Sequence, residues 1–356
     1  MENLQHRLEC PHKNSQTFFA QQPMDPKHIF INWAGRLRSG WRLLIFVLLF
    51  VILLVVFGAI GTKLAELAGR ATPSSGVAHY VENLIFRGTF LAVALLAGFI
   101  CTRWLEGLPW RATGLWFHSG WLRDLFFGSV IGAASLAVAT AIATAGGGLS
   151  FTISGRAVLV QVGETLLFSA ALFILAALAE EALFRGYPLQ TMTRANLAWL
   201  AVFLTSVPFA AVHLRNPNVA AGFTFINTAL AGIWLAVAYL RTRSLWFPLG
   251  VHWAWNWALG SLFGLPVSGL TDLAPHPLLR ATDLGPAWLT GGSYGIEGGV
   301  ACTITLIVST IFIWRTRFVA ATPEMKILTS QENPTRVEPL LPPIPPVFPS
   351  PVTRKC

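Results

Sequence analysis

The residues able to do chemistry in this chain stand in three short groups inside long apolar runs. The first is Ala179-Glu180-Glu181-Ala182-Leu183-Phe184-Arg185, two adjacent carboxylates after fifteen residues without a charge. On a helix, Arg185 lies one turn beyond Glu181, so the two share a face and can pair. Glu180 points about 100° away and is free for another task. The second group is Phe209-Ala210-Ala211-Val212-His213, and the third is His252-Trp253-Ala254-Trp255-Asn256. His252 and Asn256 again share one helix face. Each group has an ordinary structural reading: a helix end with a salt bridge, a hydrogen-bonded histidine, or polar glue between helices. Ionisable groups within apolar segments are costly, so their coincidence asks for a further reason.

Their positions supply one. Residues 180 and 213 lie symmetrically about the short connection Thr193-Arg194-Ala195-Asn196. In an antiparallel helical hairpin both then sit roughly 20 Å from that connection. His252, counted from Arg243, comes roughly 14 Å below the same face. A carboxylate in a low-dielectric site becomes a usable general base near neutral pH. Glu180 with His213 would hold and deprotonate a water, and His252 with the Asn256 amide would donate hydrogen bonds to a developing oxyanion. Arg185 would keep Glu181 ionised and fix the helix geometry. This set suffices for amide hydrolysis without a covalent intermediate. The same Glu180, His213 and His252 could instead bind zinc or another divalent metal that activates the water. No HExxH motif supports that alternative, and no cofactor is certain.

The surrounding sequence says what must position these groups. The chain has 356 residues, 54% hydrophobic and 12% charged. Soluble domains carry about 25% charged residues, so the composition points to lipid as solvent. The expectation is an all-α, polytopic membrane bundle of about eight transmembrane helices: 43–61, 86–105, 124–146, 163–193, 197–215, 219–240, 245–263 and 298–315. The expected organisation is a cytoplasmic N-terminal segment (1–40), N-terminal helices with an aromatic interfacial segment (41–119), a catalytic core (120–318) and a Pro-rich disordered tail (319–356). With the N-terminal segment inside, the inside segments carry 19 of the Lys and Arg residues and the outside segments 6, namely Lys63, Arg70, Arg87, Arg156, Arg215 and Arg280. That bias puts both ends of the chain in the cytoplasm, by expectation at a bacterial inner membrane. The net charge of +9 is then topological, and nucleic acid is not an expected partner. Cys10, Cys101, Cys302 and Cys356 form no CxxC pair and no disulfide framework.

At its polar groups the sequence resembles the CAAX protease and bacteriocin-processing family, which includes type II CAAX prenyl endopeptidases and Abi-type membrane proteins. The family pattern is EExxxR, FxxxH and HxxxN on successive helices. Glu180, Glu181 and Arg185 match the first motif, Phe209 and His213 the second, His252 and Asn256 the third. Gly291-Gly292-Ser293-Tyr294-Gly295-Ile296-Glu297-Gly298-Gly299 looks like the Gly-Glu-Gly segment that many members carry. The similarity covers about residues 120–315. It implies an intramembrane endopeptidase with a cavity open to the cytosol, acting on membrane-associated, prenylated or bacteriocin-like peptides. Glu180 and His213 would activate water, and His252 and Asn256 would form the oxyanion hole. Glu297 reads as a solvated carboxylate in a glycine turn. Two other classes compete: an ion- or proton-coupled transporter and a non-catalytic membrane scaffold. Transport would need polar groups along a continuous path, and they cluster at one level only.

Overall fold

The computed structural model describes residues 27–32, 35–71, 75–219 and 222–330. Most of the N-terminal segment and the tail beyond 330 lie outside them. The chain divides into two units, Met1–Arg38 and Ser39–Cys356. In the first, helix α1 (Lys27–Phe30) precedes a turn. There Asn32 Oδ1 accepts the Arg36 N–H at 3.0 Å.

The second unit is almost wholly helical. It contains α2 (Ser39–Ala71), α3 (Ser75–Ile100), α4 (Trp121–Ala145), α5 (Leu159–Glu181), α6 (Tyr187–Arg194), α7 (Ala198–His213), α8 (Phe223–Thr242), α9 (Trp246–Trp257), α10 (Ala287–Thr290), α11 (Val300–Arg315) and α12 (Pro323–Ser330). Long runs of Ala and Leu favour helix, and their apolar exteriors suit lipid. In α2 only 11% of the most apolar window is buried, and Ile52, Val55, Ile60 and Leu67 face outward. Such a surface is stable only against hydrocarbon.

Five helical stretches are long and apolar enough to cross a membrane: Ser39–Ala71, Val77–Leu105, Trp121–Ala145, Arg156–Arg194 and Phe223–Thr242. Ala198–His213 and Val300–Arg315 are apolar but shorter. By length and composition the described residues thus give five spanning helices, and the expected count of eight is not confirmed.

Three further features depart from the sequence reading. Leu149–Ile153 (β1) and Leu279–Asp283 (β2) pair antiparallel, so the fold is not purely helical. Residues 104–125 do not simply lie along an interface. Trp104 and Phe117 are exposed, but Glu106, Leu108, Ala112 and His118 are buried. Glu106 receives hydrogen bonds from Arg194 and Thr191, and one from Arg42 at 2.7 Å, which ties this segment to α2 and α6. Within the expected disordered tail, Pro323–Ser330 forms α12, whose Met325 and Thr329 are fully buried. Met325 Sδ accepts the Trp116 indole N–H at 3.2 Å.

The centre of the bundle is a seam between α4 and α9. A Cβ on Gly128 would meet the Phe247 carbonyl oxygen at 2.2 Å, one on Gly132 the Val251 oxygen at 2.2 Å, and one on Gly250 the Leu125 oxygen at 2.3 Å. The two backbones touch because these side chains are missing, the small-residue packing that holds helices together in lipid.

Candidate active site

Two of the helices that carry the polar groups change pitch at the site. α5 passes into a π-turn at Ala182–Gly186 directly after Glu180 and Glu181, and α9 into another at Ala258–Leu262 after Asn256. π-Turns inside α-helices recur at functional sites because the extra residue re-aims its neighbours.

Glu181 and Arg185 are completely buried. Glu181 Oε1 accepts from Arg185 Nη1 at 3.2 Å and stands 2.9 Å from His252 Nδ1. Arg185 Nη2 donates to the Gly232 carbonyl at 3.1 Å, and its guanidinium lies 4.5 Å over the Phe209 ring. An ionised carboxylate paired with arginine only accepts, so Nδ1 of His252 carries a proton. His252 Nε2 then points toward Glu180, at 3.7 Å from Oε2. His213 Nδ1 lies 2.7 Å from the Phe209 carbonyl, which again makes Nδ1 the donor and leaves Nε2 as an acceptor. The Phe209 ring stands between the imidazoles, with centroids 4.6 Å from His213 and 6.2 Å from His252.

Glu180, His213, His252 and Asn256 line one cavity of ≈ 240 Å³. Glu181 and Arg185 stand behind its wall. The spacing argument gave Glu181 a partner in Arg185 alone. The structure adds His252 at the same oxygen, a contact that follows only from α5 packing on α9.

Glu297 lines the cavity too. Its Oε1 accepts the Trp255 indole N–H at 3.0 Å, and its Oε2 accepts the Ser268 N–H at 2.5 Å and hydroxyl at 3.2 Å. The expected solvated carboxylate is thus a cavity residue joining α9 to the loop after it. The flanking glycines were the signal: Gly291 has φ +80°, and a Cβ on it would meet the Gly295 oxygen at 1.8 Å. Among the described residues no three His, Cys, Asp or Glu side chains converge to hold a metal ion. The suggested donors Glu180, His213 and His252 share the cavity without forming such a group.

The loops lining the cavity are all at one end of the bundle: Asn216 after α7, Val267 to Leu273 after α9, and Glu297 before α11. The opposite end carries the turn at 195–197, the connection at Arg243 to Leu245 and the Glu106 cluster. The expectation drawn from the Lys and Arg bias puts that opposite end in the cytoplasm. An opening to the cytosol and a cytoplasmic placement of both chain ends are therefore incompatible expectations.

These features define a helical integral membrane protein with a polar cavity built from two glutamates, two histidines and an asparagine. Residues 162–258, about a quarter of the chain, match the family described as "Type II CAAX prenyl endopeptidase Rce1-like". The match contains all three polar groups. A curated relative from Escherichia coli, an "Uncharacterized 24.3 kDa protein", is 33% identical over 106 residues, which is 29% of this chain and 47% of the relative. The similarity thus spans about half the length of that relative. No solved structure matches the chain.

Proposed function

We propose that the protein is an intramembrane endopeptidase that hydrolyses peptide bonds of membrane-associated substrates with water activated by Glu180 and His213. The observation that carries this reading is the meeting of Glu180, His213, His252 and Asn256, from three helices, on one cavity. Glu180 takes a proton from water whose second hydrogen bond goes to Nε2 of His213. The resulting hydroxide adds to the substrate carbonyl carbon. The oxyanion is received by the Asn256 amide and by Nε2–H of His252 in its doubly protonated form, which the Glu181 carboxylate at Nδ1 supports. The C–N bond then breaks, and Glu180 delivers its proton to the leaving amine, giving a carboxylic acid and an amine, which ionise to carboxylate and ammonium on release. No step passes through a metal.

Residues 120–318 carry this activity in our reading. We place both ends of the chain in the cytoplasm of a bacterial inner membrane, on the strength of the Lys and Arg distribution. The cavity mouth then faces the other side, and substrates reach it from there. This favours bacteriocin-like or other membrane peptides exposed on that face over prenylated ones.

The test compares the membrane proteome of cells carrying wild-type protein or Glu180→Gln, and follows cleavage of any differing peptide by the purified proteins. Glu180→Gln and His213→Ala are expected to lower kcat by at least about 10²-fold with unchanged melting. Undiminished turnover in either variant would overturn the proposal.

A further inference from the structure

Arg87, on α3, also lines the cavity, and the mechanism above gives it nothing to do. It was counted with the outside segments in the sequence, but α3 begins at Ser75, which places Arg87 well within the helix. Its situation differs from that of the other buried arginines. Arg185 pairs with Glu181, and Arg42 and Arg194 both pair with Glu106. Like theirs, the Arg87 Nε is buried without a hydrogen-bond partner; unlike theirs, its guanidinium makes no ion pair or side-chain hydrogen bond among the described residues. Glu180 feels its charge across the cavity without forming an ion pair with it. A guanidinium without an ion pair inside a membrane span is costly, and ionisable residues so placed mark substrate or ion pathways.

The ligand's chemistry follows from the walls. A guanidinium presents a planar fork that matches an anion carrying two coplanar oxygens. Glu180 and Glu297 share the cavity, so a doubly charged phosphate would face two carboxylates, whereas a singly charged carboxylate carries half that repulsion. We propose that Arg87 is the carboxylate anchor of this cavity, a specificity-determining residue that grips a carboxylate of the bound peptide. Under the hydrolytic reading, on which this assignment of a peptide ligand rests, the anchor fixes which amide reaches Glu180. That carboxylate is either the peptide's C-terminal α-carboxylate or an acidic side chain.

The experiment measures binding without turnover. Full-length protein carrying His213→Ala is placed in lipid nanodiscs. It is titrated with three fluorescent apolar hexapeptides: a free C-terminal acid without acidic side chains, its C-terminal amide, and an amide carrying one Asp. The acid is expected to bind about tenfold more tightly than the plain amide. Adding Arg87→Gln removes that advantage, and Arg87→Lys keeps part of it. Tight binding of the Asp-bearing amide in place of the acid identifies the side chain as the source and also supports the anchor. Equal affinity for all three peptides, or an acid preference undiminished in Arg87→Gln, overturns it. The peptide comparison in the Arg87 protein decides even if the variant fails to fold. Failure of the hydrolytic reading would show separately, as absent cleavage by the protein with His213 intact while the acid preference persists.

Discussion

Glu181 accepts from Arg185 and His252 through a single oxygen, and that sharing sets its role apart from that of Glu180. Glu181 is a positioning residue: it fixes the tautomer and tilt of His252 and is itself neutralised by Arg185. Removing one member of such a buried pair strands the other charge. Arg185→Leu is therefore expected to destabilise the protein by about 3–5 kcal/mol, read as loss of folded protein in detergent melts, whereas Glu180→Gln is expected to melt like wild type. Glu180 is a quarter exposed, with a side-chain accessibility of 26%, and tolerates the change because it borders the cavity. Since the donor groups do not converge on a metal, treatment with 1,10-phenanthroline followed by buffer exchange is expected to leave cleavage unchanged. Loss of activity restored by zinc would contradict that expectation.

At the scale of elements, the site depends on how closely α9 lies against α4. Val251, whose carbonyl oxygen sits against Gly132, directly precedes His252. A side chain at 132 must push α9 away and carry His252 with it. Gly132→Leu is expected to cost about 1–3 kcal/mol in stability and to lower kcat more than KM is raised, measured by melting and steady-state kinetics. Gly58→Ala is the control, since a Cβ there meets nothing within 4 Å. The π-turns act at the same scale. They follow Glu180–Glu181 and Asn256 directly, the first leading into α6 and the second ending α9 at the loop from Phe263, and nothing in the composition of Ala182–Gly186 or Ala258–Leu262 announces them.

For the whole molecule, cysteine labelling decides which way the cavity faces. With Cys10 and Cys356 replaced by serine, Thr271→Cys lies on the loop beside the cavity and Ser119→Cys on the opposite end, both exposed. Our placement expects a membrane-impermeant maleimide added to intact spheroplasts to label Thr271→Cys and to spare Ser119→Cys until the membrane is opened. The reverse pattern would invert the topology and restore the cytosolic opening that the family resemblance implies.

The helical class, the three polar groups and their pairings within a helix are legible in the sequence, because periodicity and spacing along one helix are local properties. Glu181 with Arg185 is such a case. The second contact of Glu181, with His252, spans 71 positions and depends on which helices become neighbours. That was decided by α5 packing on α9, where the Trp253 and Trp257 indoles donate to the Ala170 and Leu166 carbonyls at 3.0 Å, a condition met only once both backbones are placed. The same holds for Glu297 and Arg87, whose sequence surroundings read as a loop and a membrane border until the fold turns both into one cavity wall. The strand pair β1–β2 also joins distant segments, so no local pattern could specify it. Sequence determined which faces are polar; tertiary packing determined which polar faces meet, because meeting depends on distances between helices that no single helix encodes.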